Sequence, residues 1–131
     1  MKDYTKYDFD AIVGAEVEIT QKDGRKSSGT FKLVGRHNGA VLLYPSDKKK
    51  PVDWVLIKNI ASLTAKIKVE DMSVKQLKKA FNLGTYEVLV FNEATGTIAN
   101  RDVDGGELGH TYEELPFNDY IDCTDWGWKH E

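Results

Sequence analysis

The sequence predicts an α+β protein: a five-stranded small β-barrel (residues 1–70) followed by an acidic helix-plus-antiparallel-sheet module (residues 71–131). Three observations lead to this prediction. Short apolar or alternating segments separated by tight turns fill the first half, and such a series is typical of small barrels. A well-capped helix opens the second half. Acidic residues dominate the rest of the chain.

The chain begins with a short helical segment that leads into a strand. Residues 7–14 carry apolar side chains at helical spacing, with Asp8 as N-cap and Gly14 as the stop. Residues 15–20 alternate between apolar and polar side chains, which predicts a half-buried strand.

A hairpin organises the rest of the first half. Asp23 and Gly24 favour a tight turn, and residues 28–34 predict the returning strand. Gly29 lies inside that strand, where a glycine usually marks a sharp bend or a close approach of another backbone.

Three further strands complete the predicted barrel. Residues 40–44 are nearly continuously apolar, residues 52–57 form a fourth segment, and residues 61–69 alternate most regularly. The last segment exceeds the ~5–6 residues of a typical strand, so we expect it to continue into the second half.

The helix of the second half has clear end signals. Ser73 and Gln76 form a capping box, and Gly84 is placed to end the helix. Both sides of the segment 85–91 are fairly apolar, which predicts a central strand.

The remaining segments carry weaker signals. Asp104-Gly105-Gly106 predicts a turn, and residues 113–116 predict a helical turn that ends at Pro116. Residues 120–128 predict a last strand with a bulge near Thr124. The fold of residues 92–119 stays open.

The first half resembles a known family. Residues 29–34 (GTFKLV), followed by GRHNG at 35–39 and by Val41-Leu42-Leu43, are similar to the first Sm motif of the Sm-like (LSm) branch of SH3-like barrels. The resemblance covers residues 7–65. It implies a small barrel and, in that family, RNA bases bound by a ring of protomers.

The ligand positions of that family are only partly kept. Gly35 and Gly39 stand where the Asp and Asn of the first motif would be, and Lys58-Asn59 replaces the Arg-Gly of the second. The residues that keep part of a base-binding pocket are His37, Asn38 and Lys58.

The second half resembles small uncharacterised phage proteins. The shared order is a short capped helix, a strand, a Thr-Gly turn, an acidic stretch around Leu115-Pro116 and a final strand. An ancestral fusion of two such parts would account for the uneven distribution of charge.

The net charge of −3 hides a difference between the halves. Residues 1–65 carry 11 basic and 8 acidic residues, whereas residues 66–131 carry 7 basic and 13 acidic residues. The acidic part should repel nucleic acid and attract a basic surface. A merely solvated acidic surface is the alternative.

Composition limits the other possibilities. An apolar share of 40% and a charged share of 30% are typical of a globular protein. No apolar run approaches the ~20 residues that span a bilayer. The first ten residues do not resemble a signal peptide, and a single cysteine excludes an internal disulfide. We therefore expect a cytoplasmic protein that does not contact membranes.

No catalytic or metal-binding constellation is recognisable. The three histidines lack metal-ligand spacing, and Cys123 is expected to be a buried small hydrophobe. Asp102 to Gly106 lacks the later oxygen ligands of a calcium loop. We therefore predict no cofactor, no metal and no enzymatic activity.

The favoured hypothesis is a non-catalytic binding protein encoded by a phage or mobile element. Its acidic surface would mimic nucleic acid and inhibit a host nucleic-acid-handling complex, as anti-CRISPR or anti-restriction proteins do. The partner would be a basic host protein or nucleoprotein complex. The predicted partner-binding residues are Glu87, Glu93, Asp102, Asp104, Glu107, Glu113, Glu114, Asp119, Asp122 and Asp125.

Two alternatives are kept. An Sm-like RNA-binding adaptor would use the barrel loops through His37, Asn38, Lys48, Lys49, Lys50 and Lys58. Of Trp54, Trp126 and Trp128, which could stack on bases or anchor a protein interface, at least two are expected in the core. A small enzyme of unrecognised type is the other. The sequence does not decide the oligomeric state.

Overall fold

The computed structural model describes residues 2–34 and 39–128. Most of the regular structure in these residues is β, in two antiparallel sheets. The chain divides into two compact units. The first holds the residues up to Ile67 and from Asp122 onward, and the second holds Lys68–Ile121.

The strands of the described residues are β1 (Glu16–Gln21), β2 (Lys26–Val34), β3 (Ala40–Tyr44), β4 (Asp53–Leu56), β5 (Ile60–Lys68), β6 (Glu87–Asn92), β7 (Thr97–Asp104), β8 (Glu107–Pro116) and β9 (Tyr120–Asp122). The helix α1 covers Val74–Ala80. Single 3₁₀ turns lie at Tyr4–Lys6, Phe9–Ile12, Ile57–Asn59 and Val69–Asp71. None of the helices in the described ranges is long and apolar enough to cross a membrane.

The predicted barrel is wrong. The larger sheet has the order β4-β3-β2-β1-β5-β9 and is open, because β4 and β9 are its two edges. The segment after Asp122 lies beside β5, where the Cys123 N–H donates to the Ala65 carbonyl at 2.9 Å. A late strand therefore occupies the edge that closure of a five-stranded barrel would need.

The strands of the first unit themselves match the sequence pattern. Strand β3 covers the predicted residues 40–44, and the alternation of β1 buries Val17 and Ile19 on one side. Phe31 from β2 is also buried and lies 5.9 Å from the ring of Phe9. Each such large side chain contributes about 1.5–3 kcal/mol of hydrophobic stabilisation when fully buried.

Gly29 allows two backbones to approach closely, as predicted. A Cβ at this position would lie 2.9 Å from the carbonyl oxygen of Tyr44 and 3.0 Å from the carbonyl carbon of Leu43. Since real Cβ atoms almost never come so near backbone atoms, any side chain here would push β2 away from β3.

In the second unit, the capping box of α1 is confirmed. The Ser73 hydroxyl accepts from the Gln76 N–H at 3.2 Å, and the Ser73 N–H donates to Gln76 Oε1 at 2.8 Å. The helix ends earlier than the predicted stop at Gly84. Asn82 has a φ of +50°, and the Leu83 N–H donates to the Lys78 carbonyl, so the end is a Schellman-type cap.

The predicted α+β class, with its helix-plus-antiparallel-sheet module, is also wrong, because the described residues are mostly β, with nine strands and a single short α-helix. The second unit contains one seven-residue helix and a three-stranded sheet with the order β6-β7-β8. Residues 113–116, predicted as a helical turn, belong to the ten-residue strand β8. The predicted strand 120–128 is regular only over Tyr120–Asp122.

Candidate functional site

The three strands β6, β7 and β8 form what we call the acidic sheet. From Glu87 to Pro116 it contains seven acidic residues and a single arginine, Arg101. Two glycines with positive φ, Gly105 and Gly106, form the predicted tight turn between β7 and β8. Eight of the ten predicted partner-binding acids lie in the second unit; six of these lie on the strands of this sheet, and Glu93 lies in the turn between β6 and β7.

The strand register places acids directly opposite acids. Glu87 on β6 pairs with Asp102 on β7, and Asp104 on β7 pairs with Glu107 on β8. Like charges in cross-strand pairs destabilise a sheet. The acidic sheet therefore keeps an arrangement that costs folding stability.

Glu87 is held inside the unit by hydrogen bonds. Its carboxylate accepts from the Gly84 N–H at 2.6 Å and from Asn100 Nδ2 at 2.8 Å. Asn100 is buried, and its Oδ1 accepts from the Glu113 N–H at 2.9 Å. Glu87 thus has a structural role, and Asn100 connects all three strands.

Asp102 is half-buried at the β7–β8 bulge. Its Oδ2 accepts from the Tyr112 hydroxyl at 3.3 Å, and the negative charge of Asp102 raises the pKa of Tyr112. Its Oδ1 is buried and has no hydrogen-bond partner among residues 2–34 and 39–128. Among the described residues Arg101 makes no ion pair with this acid, and its Nε and Nη2 both donate to the Gly109 carbonyl, at 3.1 and 2.9 Å.

Five acids of the sheet are exposed and make no ion pair within residues 2–34 and 39–128. They are Glu93, Asp104, Glu107, Glu113 and Glu114. These carboxylates are free to meet a cationic partner without first breaking an internal ion pair.

The exposed acids do not share one side of the sheet. Glu113 and Glu114 are consecutive in β8, and consecutive residues of a strand point to opposite faces. Strand β8 is at the edge of the sheet, and nine of its ten residues are exposed. Its acidic side chains therefore lie on both faces of the sheet along this edge.

The other predicted partner residues lie elsewhere. Asp119 is exposed in the second unit, whereas Asp122 and Asp125 belong to the first. Hydrogen bonds from the Thr124 hydroxyl and N–H lower the pKa of Asp122. Asp125 lies 4.0 Å from Lys2 Nζ.

Exposed apolar side chains on the acidic sheet were missed by the sequence analysis. Val88, Phe91, Leu108 and Tyr112 are 39–57% exposed. Aromatic residues supply much of the energy of protein interfaces. The apolar character of both sides of residues 85–91 is the signal for Val88 and Phe91. The central position predicted for this strand is wrong, because β6 is at an edge of its sheet.

The four lysines of the RNA-binding alternative lie in loops and turns of the first unit. Lys48, Lys49 and Lys50 are exposed between β3 and β4, and Lys58 is exposed in the turn before β5. His37 and Asn38 lie outside the described residues.

A cleft of about 430 Å³ adjoins Trp54, which is 54% exposed. Arg25, Lys26 and Asn59 also line it. Arg25 Nε is already paired with Asp23 at 2.7 Å, so part of the positive charge is compensated.

Cys123 is fully buried, and burial raises the pKa of its thiol to about 12. A thiol with such a pKa is protonated near neutrality and is a poor nucleophile. In the part of the chain that the structure describes, no group of three or more His, Cys, Asp or Glu side chains could hold a metal ion.

In comparisons with known proteins, no protein-family model, no curated protein and no solved structure matches this chain. The resemblances to Sm-like proteins and to phage modules stay predictions.

Proposed function

We propose that the acidic sheet binds a cationic surface of a partner protein. In this proposal the protein is a non-catalytic inhibitor of a host nucleic-acid-handling complex, of the anti-CRISPR or anti-restriction type. It occupies a site that normally holds nucleic acid, and a phage or mobile element encodes it.

One observation carries the proposal: five exposed carboxylates on a small sheet whose only arginine is directed to a backbone carbonyl. The opposed acids Asp104 and Glu107 add to it. An arrangement that weakens the fold is expected where the charges serve binding, since a stability optimum would exchange one of them for a base.

Exposed apolar groups beside the acids fit the same function. Leu108 and Tyr112 lie on the same strand as Glu113 and Glu114. Charge guides association and selects the partner, whereas buried aromatic and aliphatic area supplies much of the affinity.

Capture from a nuclease-treated bacterial lysate tests this function. We expect tagged full-length protein to retain a protein whose binding weakens steeply between 0.1 and 1 M salt, because the screening length falls from about 10 Å to about 3 Å. Duplex DNA added as competitor should displace that protein.

A retained protein that DNA does not displace contradicts mimicry of nucleic acid. Retention of nucleic acid by the untreated sample would also count against it. The same experiment with the nuclease omitted supplies that comparison.

The exposure of Trp54 beside Arg25 and Lys26 favours a second candidate, single-stranded RNA binding by the first unit. Exposed aromatic rings stack on bases, and lysines hold phosphates. This candidate predicts salt-dependent RNA affinity that falls when Lys48, Lys49 and Lys50 are changed to Ala. No RNA retention at low salt would exclude it.

A further inference from the structure

We propose that the outer edge of β8 is a docking strand that takes up an extended cationic segment of the partner by β-strand addition. This inference rests on the proposed function and specifies how the acidic sheet engages its partner. In such recognition, main-chain hydrogen bonds give affinity and alternating side chains give specificity.

Strand β8 has a free edge. It pairs with β7 on one side, and no other strand of the described residues lies on its other side. It is ten residues long, and nine of them are exposed. The unpaired N–H and C=O groups of an edge strand can pair with another chain, whereas the acids, the register shifts and Pro116 of β8 oppose pairing with an unselected strand.

Hydrogen bonds show which backbone groups face outward near the end of β8. The Phe117 N–H donates to the Gly96 carbonyl at 2.8 Å, so the backbone N–H of Phe117 points to the β7 side. Along an antiparallel strand, the backbone N–H and C=O groups of successive residues point alternately to one neighbouring strand and to the other side. The backbone groups of Glu114 and Pro116 therefore point to the free edge. Pro116 has no N–H, so its position on that side leaves no donor unpaired.

A second outward position lies near the start of β8. The Val103 N–H donates to the Tyr86 carbonyl at 2.8 Å, so the backbone of Val103 faces β6. Leu108, its partner in the register, therefore directs its own N–H to the free edge. Leu108 and Glu114 are six residues apart, and the register of β8 against β7 shifts at two places between them.

The charge of β8 selects the occupant. The strand contains Glu107, Glu113 and Glu114 and has no lysine or arginine. Because Glu113 and Glu114 point to opposite faces, an added strand would meet carboxylates on both of its sides. A segment with several Lys or Arg residues fits this edge, and Leu108 and Tyr112 offer apolar contact.

A second copy of this chain does not fit. Pairing two β8 edges would bring acidic strands together, and like charges in neighbouring strands destabilise the pair. The acids therefore act against self-association while leaving the edge open to a basic strand.

The test uses the full chain and two synthetic peptides of equal charge. The first alternates lysine and valine over seven residues (KVKVKVK), and the second has proline at its centre (KVKPKVK). We expect the alternating peptide to bind at least ten-fold more tightly at 0.1 M salt, because proline cannot continue strand pairing. Bound peptide should slow hydrogen exchange of the Leu108 and Glu114 amides at least ten-fold.

Two substitutions of Glu114 distinguish the contribution of its backbone N–H to peptide binding from the contribution of its charge. Glu114→Gln removes the carboxylate alone, whereas Glu114→Pro also removes the outward N–H. We expect the proline variant to lose at least a further five-fold in peptide affinity. Slow hydrogen exchange of the buried Ile98 amide in the proline variant would show that its sheet is intact. If that sheet is disrupted, the comparison of the two peptides on the unsubstituted protein still decides the question.

Equal affinity for the two peptides, or unprotected Leu108 and Glu114 amides in the complex, overturns edge docking. Protection of these amides that increases with protein concentration alone would assign the edge to self-association and overturn it too. If both peptides bind equally while DNA displaces the lysate partner, edge docking fails and the proposed function stands. If no DNA-displaceable partner is retained, the proposed function fails.

Discussion

Glu87 on β6 and Asn100 on β7 are diagonal neighbours, two residues apart in the register, and the Glu87 carboxylate accepts a hydrogen bond from Asn100 Nδ2 at 2.8 Å. The other end of the same amide accepts from the Glu113 N–H on β8. One buried side chain thus joins the three strands that display the acids. The position of the exposed carboxylates depends on this connection.

Asn100→Ala should lower the free energy of unfolding by about 1–3 kcal/mol, since it leaves the Glu113 N–H and one Glu87 oxygen without their partners. Urea unfolding measures the change. Asn92→Ala is the matched control, because the Asn92 side chain bonds only to the exposed Thr95 N–H at 3.3 Å. The Asn92→Ala substitution should change the free energy of unfolding by less than about 0.5 kcal/mol. Equal losses in the two variants would show that Asn100 has no special role.

Glu107→Lys should stabilise the protein while weakening partner binding. It replaces the opposed pair Asp104–Glu107 by a pair of opposite charges, which is worth about 0.2–1 kcal/mol. Glu93→Lys makes the same change in net charge in the turn between β6 and β7, without an acid opposite it. A larger gain in unfolding free energy for Glu93→Lys contradicts the cross-strand explanation.

Gly29→Ala should destabilise the first unit by about 1–3 kcal/mol, because the new methyl group meets the backbone of Tyr44. The exposed neighbour Ser28 offers the control Ser28→Ala, which should change stability by less than about 0.5 kcal/mol. Thermal unfolding followed by tryptophan fluorescence compares them. If the thermal unfolding midpoints of both variants equal that of the unsubstituted protein, the prediction is wrong, and β2 and β3 can move apart with little loss of stability.

Cys123 should react slowly with a thiol reagent at pH 8 and rapidly after unfolding in urea. Burial raises its folded pKa to about 12, above the ordinary value of 9.0, so its stabilising contribution is complete below pH 9. That contribution is lost as pH rises from 9 toward 12, because the unfolded state releases the proton first. A native thiol that reacts as fast as the unfolded one contradicts burial and reopens the enzyme alternative.

Local signals predicted much of the fold. The alternation in residues 15–20, the apolar run 40–44, the capping box at Ser73 and the glycine turn at Gly105 act over a few residues, and the structure contains each of them. Such features depend on backbone preferences and on nearest neighbours.

Long-range pairing was not predictable in the same way. Nothing in the pattern of β5 indicates that its free edge takes up the segment after Tyr120, which leaves the sheet open. Residues 113–116 were predicted as helical because Glu113, Glu114 and Leu115 favour helices and Pro116 ends them. Pairing with β7 overrides that preference, and an edge strand tolerates Pro116.

The acidic character of the candidate site was predictable, but its geometry was not. The identity of the acids follows from the sequence, whereas the structure is needed to show that the Glu87 carboxylate is hydrogen-bonded within the unit and that Glu113 and Glu114 are exposed on β8.

The most direct test of the central claim neutralises four exposed acids of the sheet: Asp104→Asn, Glu107→Gln, Glu113→Gln and Glu114→Gln. The matched control makes the same charge change on the first unit: Asp10→Asn, Glu18→Gln, Asp47→Asn and Asp53→Asn. Binding of both variants to the DNA-displaceable lysate protein is measured at 0.1 M salt. We expect at least a ten-fold loss of affinity for the sheet variant and less than a three-fold loss for the control. Unchanged binding by the sheet variant, or equal losses in both, would contradict the account.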